Sequence, residues 1–294
     1  MELESGVKIR KVIGWSVAQG FRLAGARRRA VDRVRKPGVI LPVVIHAAKA
    51  EEVRAILGWL KRAGVLEQVW LSFDDGWREF EDTVRVLEEF EKRATLFVAP
   101  GETMRGDVWT DGLTVAARQR LYGVSEEERY KCLRFDVRGS RFDVAGLKFD
   151  VDGGVKLQTS NFKRQTSNVK LLTSTEIREV AKHPLVRIGN HTWSHLSCPH
   201  RPVEEVLDEV DRAQATLTEW CGYVPTDFAY PFGRGTEELD AEIRKRGMTP
   251  HYTRQGLVTK ETLGAARNMV YEGMSLAENL GRILMAWPKV GETL

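Results

Sequence analysis

The sequence predicts an α/β chain in which parallel strands alternate with helices and close into a barrel. Short β-rich apolar runs recur between stretches of helical spacing. Several of those runs end on acidic or histidine clusters, the position at which parallel α/β proteins place their chemistry. The chain's 294 residues, 42% of them hydrophobic, suffice to bury one large core, the usual content of a single barrel domain.

The elements read off in order. Residues 39–45 form a β-rich run, and residues 50–61 place Val53, Ile56, Leu57 and Leu60 on one side of a helix. Residues 69–73 form a second strand, followed by a helix from about 78 to 92. Residues 94–98 form a third strand, broken by Pro100-Gly101. From about 101 to 173 the alternation fails, which marks an insertion. Within it, residues 111–133 have helical spacing and 141–155 alternate as a hairpin around Asp152-Gly153-Gly154. Gln-Thr-Ser-Asn then occurs twice, at 158–161 and 165–168, in a polar run too short for a repeat architecture. Such an insertion is either a lid or specificity element above a catalytic face, or a tolerated surface excursion. Beyond it come a helix at 175–182, a strand at 185–188, a long helix at 203–220 and a strand at 228–230. A helix at 237–245 and strands at 249–253 and 267–271 complete the pattern.

Residues 1–37 stand apart by charge. Between residues 7 and 36 ten Lys or Arg face one acid, Asp32, so the segment holds +9 while the whole chain is +4 and the remainder is net acidic. With Ile9, Trp15, Val17 and Phe21 on the same stretch, this suits a basic amphipathic helix lying on an anionic membrane surface. The competing reading is an ordinary helix packed on the barrel with its arginines in solvent. No base-reading module accompanies the segment, so no nucleic acid is expected. Three cysteines at no ligand or disulfide spacing suit a reducing compartment. No run approaches the ~20 apolar residues of a bilayer span, and no cleavable-leader pattern opens the chain. The expected location is the cytoplasm, with residues 7–36 as a candidate peripheral contact to the inner face of the membrane.

Two stretches carry chemistry. Leu71-Ser72-Phe73-Asp74-Asp75-Gly76 ends a strand on adjacent carboxylates, which repel unless a cation or shared proton compensates; a plain Asp-Gly turn is the alternative. Ile188-Gly189-Asn190-His191-Thr192-Trp193-Ser194-His195 follows another strand, and histidines four apart share one face of a helical turn. With an Asp they make a three-ligand site with open positions for water and substrate.

Ser72-Phe73-Asp74-Asp75-Gly76 and His191-Thr192-Trp193-Ser194-His195 resemble the first two motifs of the polysaccharide deacetylases, carbohydrate esterase family 4, the NodB-homology group. Ala229-Tyr230-Pro231-Phe232-Gly233 is similar to their third motif in its Tyr-Pro-x-Gly form. The resemblance runs from about residue 39 to 270 and implies a distorted (β/α)7 TIM-like barrel interrupted by the helical and hairpin insertion. It implies a divalent metal, zinc with cobalt or nickel as alternatives, on Asp75, His191 and His195. Asp74 is then the general base and the amide of Phe232 the oxyanion donor, in a hydrolase removing N-acetyl or O-acetyl from an amino sugar of a cell-envelope glycan or its precursor.

Some positions depart from the family pattern. Many members have an Arg steadying the base where this chain has Ala229; Arg267 is similar to a later Arg of Tyr-Pro members and is expected to orient Asp74, or else to be a surface residue. Many members also have a late His as general acid, and here the last one is His251, read either as that acid or as structural. His46 matches a common family His and is expected to line the pocket. Tyr230 is expected to offer a hydroxyl or a wall. Trp77 and Trp193 are candidates for a platform under the apolar face of a sugar, or for packing. Cys198 reads as a buried thiol, and His183 and His200 as surface residues. The competing functions are hydrolysis of a non-sugar amide such as a cyclic ureide or formamide, and non-catalytic glycan binding. A mere binder has no need of a second carboxylate beside the metal, so the Asp74-Asp75 pair argues against the latter.

Overall fold

The structure is a computed structural model and describes residues 24–47, 49–110, 113, 115–129, 147–149, 155–157, 170–271 and 273–285. Seven parallel strands, β1 (Leu41–Ile45), β2 (Val69–Phe73), β3 (Ala94–Val98), β6 (Val186–Asn190), β7 (Asp227–Ala229), β8 (Thr249–His251) and β9 (Asn268–Val270), form one curled sheet. Their spatial order is β8-β7-β6-β3-β2-β1-β9. Strands β8 and β9 are not paired with each other; the segment between them bridges the gap, with Tyr252 N–H donating to Gly264 O and Arg267 N–H to Arg254 O. This is the seven-stranded distorted barrel expected from the sequence.

Strands β1 and β3 are buried along their whole length, because helices cover the outer face of a parallel sheet while side chains fill its inside. Helices α2 (Ala50–Arg62), α3 (Phe80–Glu89) and α6 (Ser174–Ala181) lie where the apolar spacing placed them. Helices α7 (Val203–Cys221) and α8 (Glu237–Lys245) do so too, over a second core cluster that includes Val206, Val210, Phe228 and Tyr230. Cys198 is fully buried in that cluster.

Three differences from the sequence expectations have physical causes. Beyond Val98 the third strand ends as expected, but Pro100 also begins an unforeseen helix, α4 (Pro100–Arg105), since a proline suits the first turn, where its missing N–H has no helical partner. Helix α9 (Leu276–Leu284) was not foreseen, although Ser275 and Glu278 form the reciprocal cap that announces it. Within the insertion's expected helix at 111–133, the described residues show α5 (Val115–Leu121) and a helical turn at 126–129, interrupted at 122–125. Its hairpin is present as β4 (Leu147–Phe149) antiparallel to β5 (Val155–Leu157), while the repeated Gln-Thr-Ser-Asn lies outside the described residues.

Of the basic segment, residues 7–23 lie outside the described residues. From Ala24 it is helix α1 (Ala24–Val34), which buries Ala30, Val31 and Val34 in the main core and leaves Arg27, Arg28 and Arg29 exposed. Among the described residues no helix is long and apolar enough to cross a membrane.

Register decides what meets at the top of the barrel. Ile45 pairs with Phe73 and Phe73 with Leu96, so β1 and β2 end together, while β3 and β6, whose last residues Val98 and Asn190 pair, run two residues further; Ala229 pairs with His251 at the ends of β7 and β8. Inside the barrel, Trp70 stacks on His251 with centroids 4.5 Å apart, and Phe97 packs against both. Gly189 faces this layer: a Cβ there would lie 2.4 Å from the Phe97 ring. Gly189→Ala is therefore expected to cost about 1–3 kcal/mol through overpacking, read as a lowered Tm. An unchanged Tm would show that the ring swings aside at no cost.

Candidate metal centre

Asp74 and Asp75 leave the end of β2 in different directions because the chain turns sharply between them. Asp74 N–H still donates to Ile45 O in the neighbouring strand (3.2 Å), whereas Asp75 and Gly76 both take left-handed backbone, with φ of 74° and 75°. Asp and Gly are among the residues that tolerate that region best. The turn aims Asp75 at the histidines and leaves Asp74 facing Arg267.

His191 and His195 meet by a different route from the one their spacing suggested. Residues 191–197 are not helical; Thr192 and His195 adopt left-handed φ of 61° and 51°. Side chains hold this turn: Asn190 Oδ1 accepts from Thr192 N–H (2.9 Å), and the Glu209 carboxylate accepts from both the N–H and the hydroxyl of Ser194 (2.7 Å each). Both imidazoles still converge, with His191 Nε2 at 3.5 Å and His195 Nε2 at 3.3 Å from Asp75 Oδ1.

The donor set fits a metal cation. One ligand atom from each of Asp75, His191 and His195 lies within 4.8 Å of the others, and all three side chains are buried. His191 Nδ1 sits 2.7 Å from Ala229 O; a carbonyl only accepts, so Nδ1 carries the proton and the Nε2 lone pair faces Asp75. Trp77 Nε1 donates to Asp75 Oδ2 (3.1 Å), while Asp75 Oδ1 is buried with no hydrogen-bond partner, a costly state that a cation would relieve. Burial pushes the Asp75 carboxyl up, but the His195, His191 and His46 rings outweigh it and hold it well below the usual carboxylate range. Burial pushes the His195 imidazole down to about 3 against the pull of Asp75. At neutral pH the centre thus offers a carboxylate and a neutral imidazole, the forms a metal binds.

Asp74 lies beside this set but is held by something else. Arg267 forks onto it, Nη1 to Oδ1 at 2.6 Å and Nη2 to Oδ2 at 3.0 Å, and both side chains are buried, 0% and 3% exposed. Arg267 is therefore no surface residue. Burial raises the Asp74 carboxyl, but Arg267, with His191 and His46, brings it below its ordinary value.

A cavity of about 400 Å³ opens over these groups. Asp74, Asp75, His195, His46, Trp77 and Phe232 line it, with His46 Nε2 3.7 Å from Asp74 Oδ2. Three candidates are not brought there. His251 is fully buried inside the barrel, its Nε2 2.7 Å from Asp227 Oδ1 and its ring against Trp70, so it is placed as a structural residue and not as the acid. Tyr230 points into the second core cluster and donates to Asp240 Oδ1 (2.7 Å), offering the pocket neither hydroxyl nor wall. Trp193 is buried under the Arg212 guanidinium, 3.7 Å from its ring centre, and is packing. His183 and His200, read as surface residues, take local contacts with Glu88 and Ser197.

Sequence reasoning missed the part played by the insertion. Thr110 and Arg118 line the cavity, and Trp109 and Tyr122 pack on the ring of Phe232. Trp109 Nε1 donates to His195 O (2.9 Å), and the buried Arg129 donates to Ser194 O and Oγ (3.0 and 2.6 Å). Residues 101–129 thus brace the histidine turn and are no mere surface excursion. The available signal was Arg and Trp in a segment without strand–helix alternation, which names no target.

The family model described as polysaccharide deacetylase matches residues 63–251, well over half of the chain, and spans all three motifs. The chain belongs to the polysaccharide deacetylase family. It is thus by class a carbohydrate deacetylase acting on carbon–nitrogen bonds other than peptide bonds. His46 and Arg267 lie outside the matched span; the structure places both, as the motif resemblance led one to expect, at the cavity and on Asp74. Among solved structures, the fold of this deacetylase is similar to that of a polysaccharide deacetylase from Bacillus cereus, at 15% identity, covering 83% of this chain and 69% of that one with a TM-score of 0.52. It is also similar to Streptococcus pyogenes deacetylase PplD in complex with acetate, at 16% identity, 84% and 99% coverage and a TM-score of 0.52. IcaB from Ammonifex degensii matches at 16% identity, 83% and 97% coverage and a TM-score of 0.51. At such identities the likeness concerns the fold. No curated protein matches this chain.

Proposed function

We propose that this deacetylase hydrolyses the N-acetyl group of an amino sugar in a cell-envelope glycan or its precursor, using a divalent cation on Asp75, His191 and His195. The observation that carries the reading is the division of labour between neighbours: Asp75 faces two imidazoles, while Asp74 is kept ionised by Arg267 on the same cavity. The His/His/carboxylate set is one that zinc accepts, with a position left for water and substrate. Held by Asp75, His191 and His195, a cation would supply a lowered pKa for bound water and polarisation of the acyl carbonyl.

The chain's own groups do the rest. Asp74, ionised and outside the ligand set, takes the proton of the attacking water. The fork of Arg267 keeps its carboxylate from turning away. The charge that develops on the acyl oxygen needs a fixed donor, and the backbone N–H of Phe232 is assigned that role; its left-handed backbone (φ 60°, ψ 9°) is clamped by the aromatic contacts of its ring with His195, Trp109 and Tyr122. When the C–N bond breaks, the proton on Asp74 passes to the leaving amine, giving acetate and a free amino sugar. Trp77, which lines the cavity and is tied to Asp75, offers its ring to the apolar face of the sugar.

Purified protein is expected to release acetate from N-acetylglucosamine oligomers, to stop after chelation, and to resume with Zn²⁺ or Co²⁺. Release that ignores chelation would remove the cation from the reading. No release from any N-acetyl amino sugar would remove the substrate.

A further inference from the structure

Arg118 is a cation on the pocket wall for which the described residues provide no carboxylate. It stands on α5, inside the insertion, and lines the same cavity as Asp74 and Asp75. Its Nε donates to Leu113 O at 3.1 Å, which ties down the stem and uses one of the five N–H donors of the guanidinium. Among the described residues no carboxylate lies within ion-pair distance of it. Its counterparts are matched: Arg267 is forked onto Asp74, and Arg105 pairs with Glu102 and Glu126. The two pocket carboxylates are also engaged, Asp74 by Arg267 and Asp75 by the imidazoles that face it. Among the described residues that charge is unmatched, and it faces whatever enters the pocket. Thr110, nearly buried, adds a hydroxyl to the same wall.

We propose that Arg118 reads an oxyanion on the substrate, a carboxylate or phosphate close to the acylated nitrogen, so that the preferred substrate is an anionic N-acyl amino sugar. A guanidinium presents parallel N–H donors matched to either group, and a partly desolvated pocket wall strengthens the contact. The proposal rests on the deacetylase reading for the bond that is cut, and on Arg118 alone for the charge.

The test compares N-acetylmuramic acid, N-acetylglucosamine 1-phosphate and neutral N-acetylglucosamine, in wild-type protein, Arg118→Gln and Arg118→Lys. Acetate release gives kcat/KM, and calorimetry on an Asp74→Asn background gives Kd without turnover. Wild-type protein is expected to prefer one or both anionic sugars over the neutral one. Arg118→Gln is expected to lower that preference about 10- to 100-fold, the span of a charge-assisted hydrogen bond, and Arg118→Lys to keep part of it. The two anionic arms tell carboxylate from phosphate. Equal affinity of wild-type protein for charged and neutral sugars, or a preference that survives in Arg118→Gln, would overturn the proposal. An Arg118-dependent preference in binding with no acetate released anywhere would sustain it and overturn the deacetylase reading; acetate released without charge preference would do the reverse.

Discussion

Asp74→Asn is expected to lower kcat by about 10² to 10⁴-fold, the usual contribution of a positioned general base, while the protein still binds one equivalent of metal. Asp75 Oδ1 faces both imidazoles at 3.3 and 3.5 Å, and Asp74 faces Arg267 instead, so an amide at position 74 deletes the proton acceptor and leaves the ligand set whole. Metal content by elemental analysis, alongside kcat for acetate release, separates the two roles. Wild-type turnover in the variant would take the base role from Asp74, and loss of metal would place Asp74 among the ligands.

The second large effect belongs to Arg267. Arg267→Met removes the positive partner of a buried carboxylate, and breaking a buried ion pair from one side costs about 3–5 kcal/mol. The pH dependence follows from the sign of the shift. In the wild-type protein the Asp74 carboxyl is held below its ordinary value, so its contribution to stability is present above about pH 4 and lost as pH falls through the depressed pKa. Without Arg267 burial dominates and the carboxyl moves up. The destabilisation measured by denaturant titration is then expected to be largest at neutral pH and to shrink on acidification. The acid limb of kcat/KM is expected to move to higher pH, because the base is ionised over a narrower range. Arg267→Lys restores charge without the fork and should fall between the two. An acid limb that stays in place in Arg267→Met would show that Arg267 does not set the protonation of Asp74.

Much of the barrel was legible because its signals are local. Residues 69–73 and 94–98 form strands with the bounds their apolar runs suggested, and 237–245 a helix with those of its periodicity. Buried parallel strands must be continuous apolar runs, and surface helices must show one apolar stripe, whatever lies elsewhere in the chain. Asp74, Asp75, His191 and His195 were likewise readable, since few functions call for those residue types at strand ends in that spacing. The path by which the histidines meet was not. A spacing of four is satisfied by a helical turn and equally by the left-handed kinks at Thr192 and His195, and which one occurs depends on Glu209 and Arg129, which arrive from α7 and the insertion. Tyr230 and Trp193 were candidates for the pocket because they lie inside motifs, and His251 because it ends a strand. In a strand the next residue points to the other face, so nearness along the chain says little about which side a ring takes.

The order of strands and helices, the acid and histidine clusters at their ends and the family they imply are contained in the sequence alone, because each is a pattern within some tens of residues. The pairing of Asp74 with Arg267 across 193 positions, the burial of His251 and the entry of Thr110 and Arg118 into the pocket were decided by the tertiary structure. These are contacts between segments that carry no common pattern. They exist only once strand register and the curl of the sheet bring distant side chains to the same point.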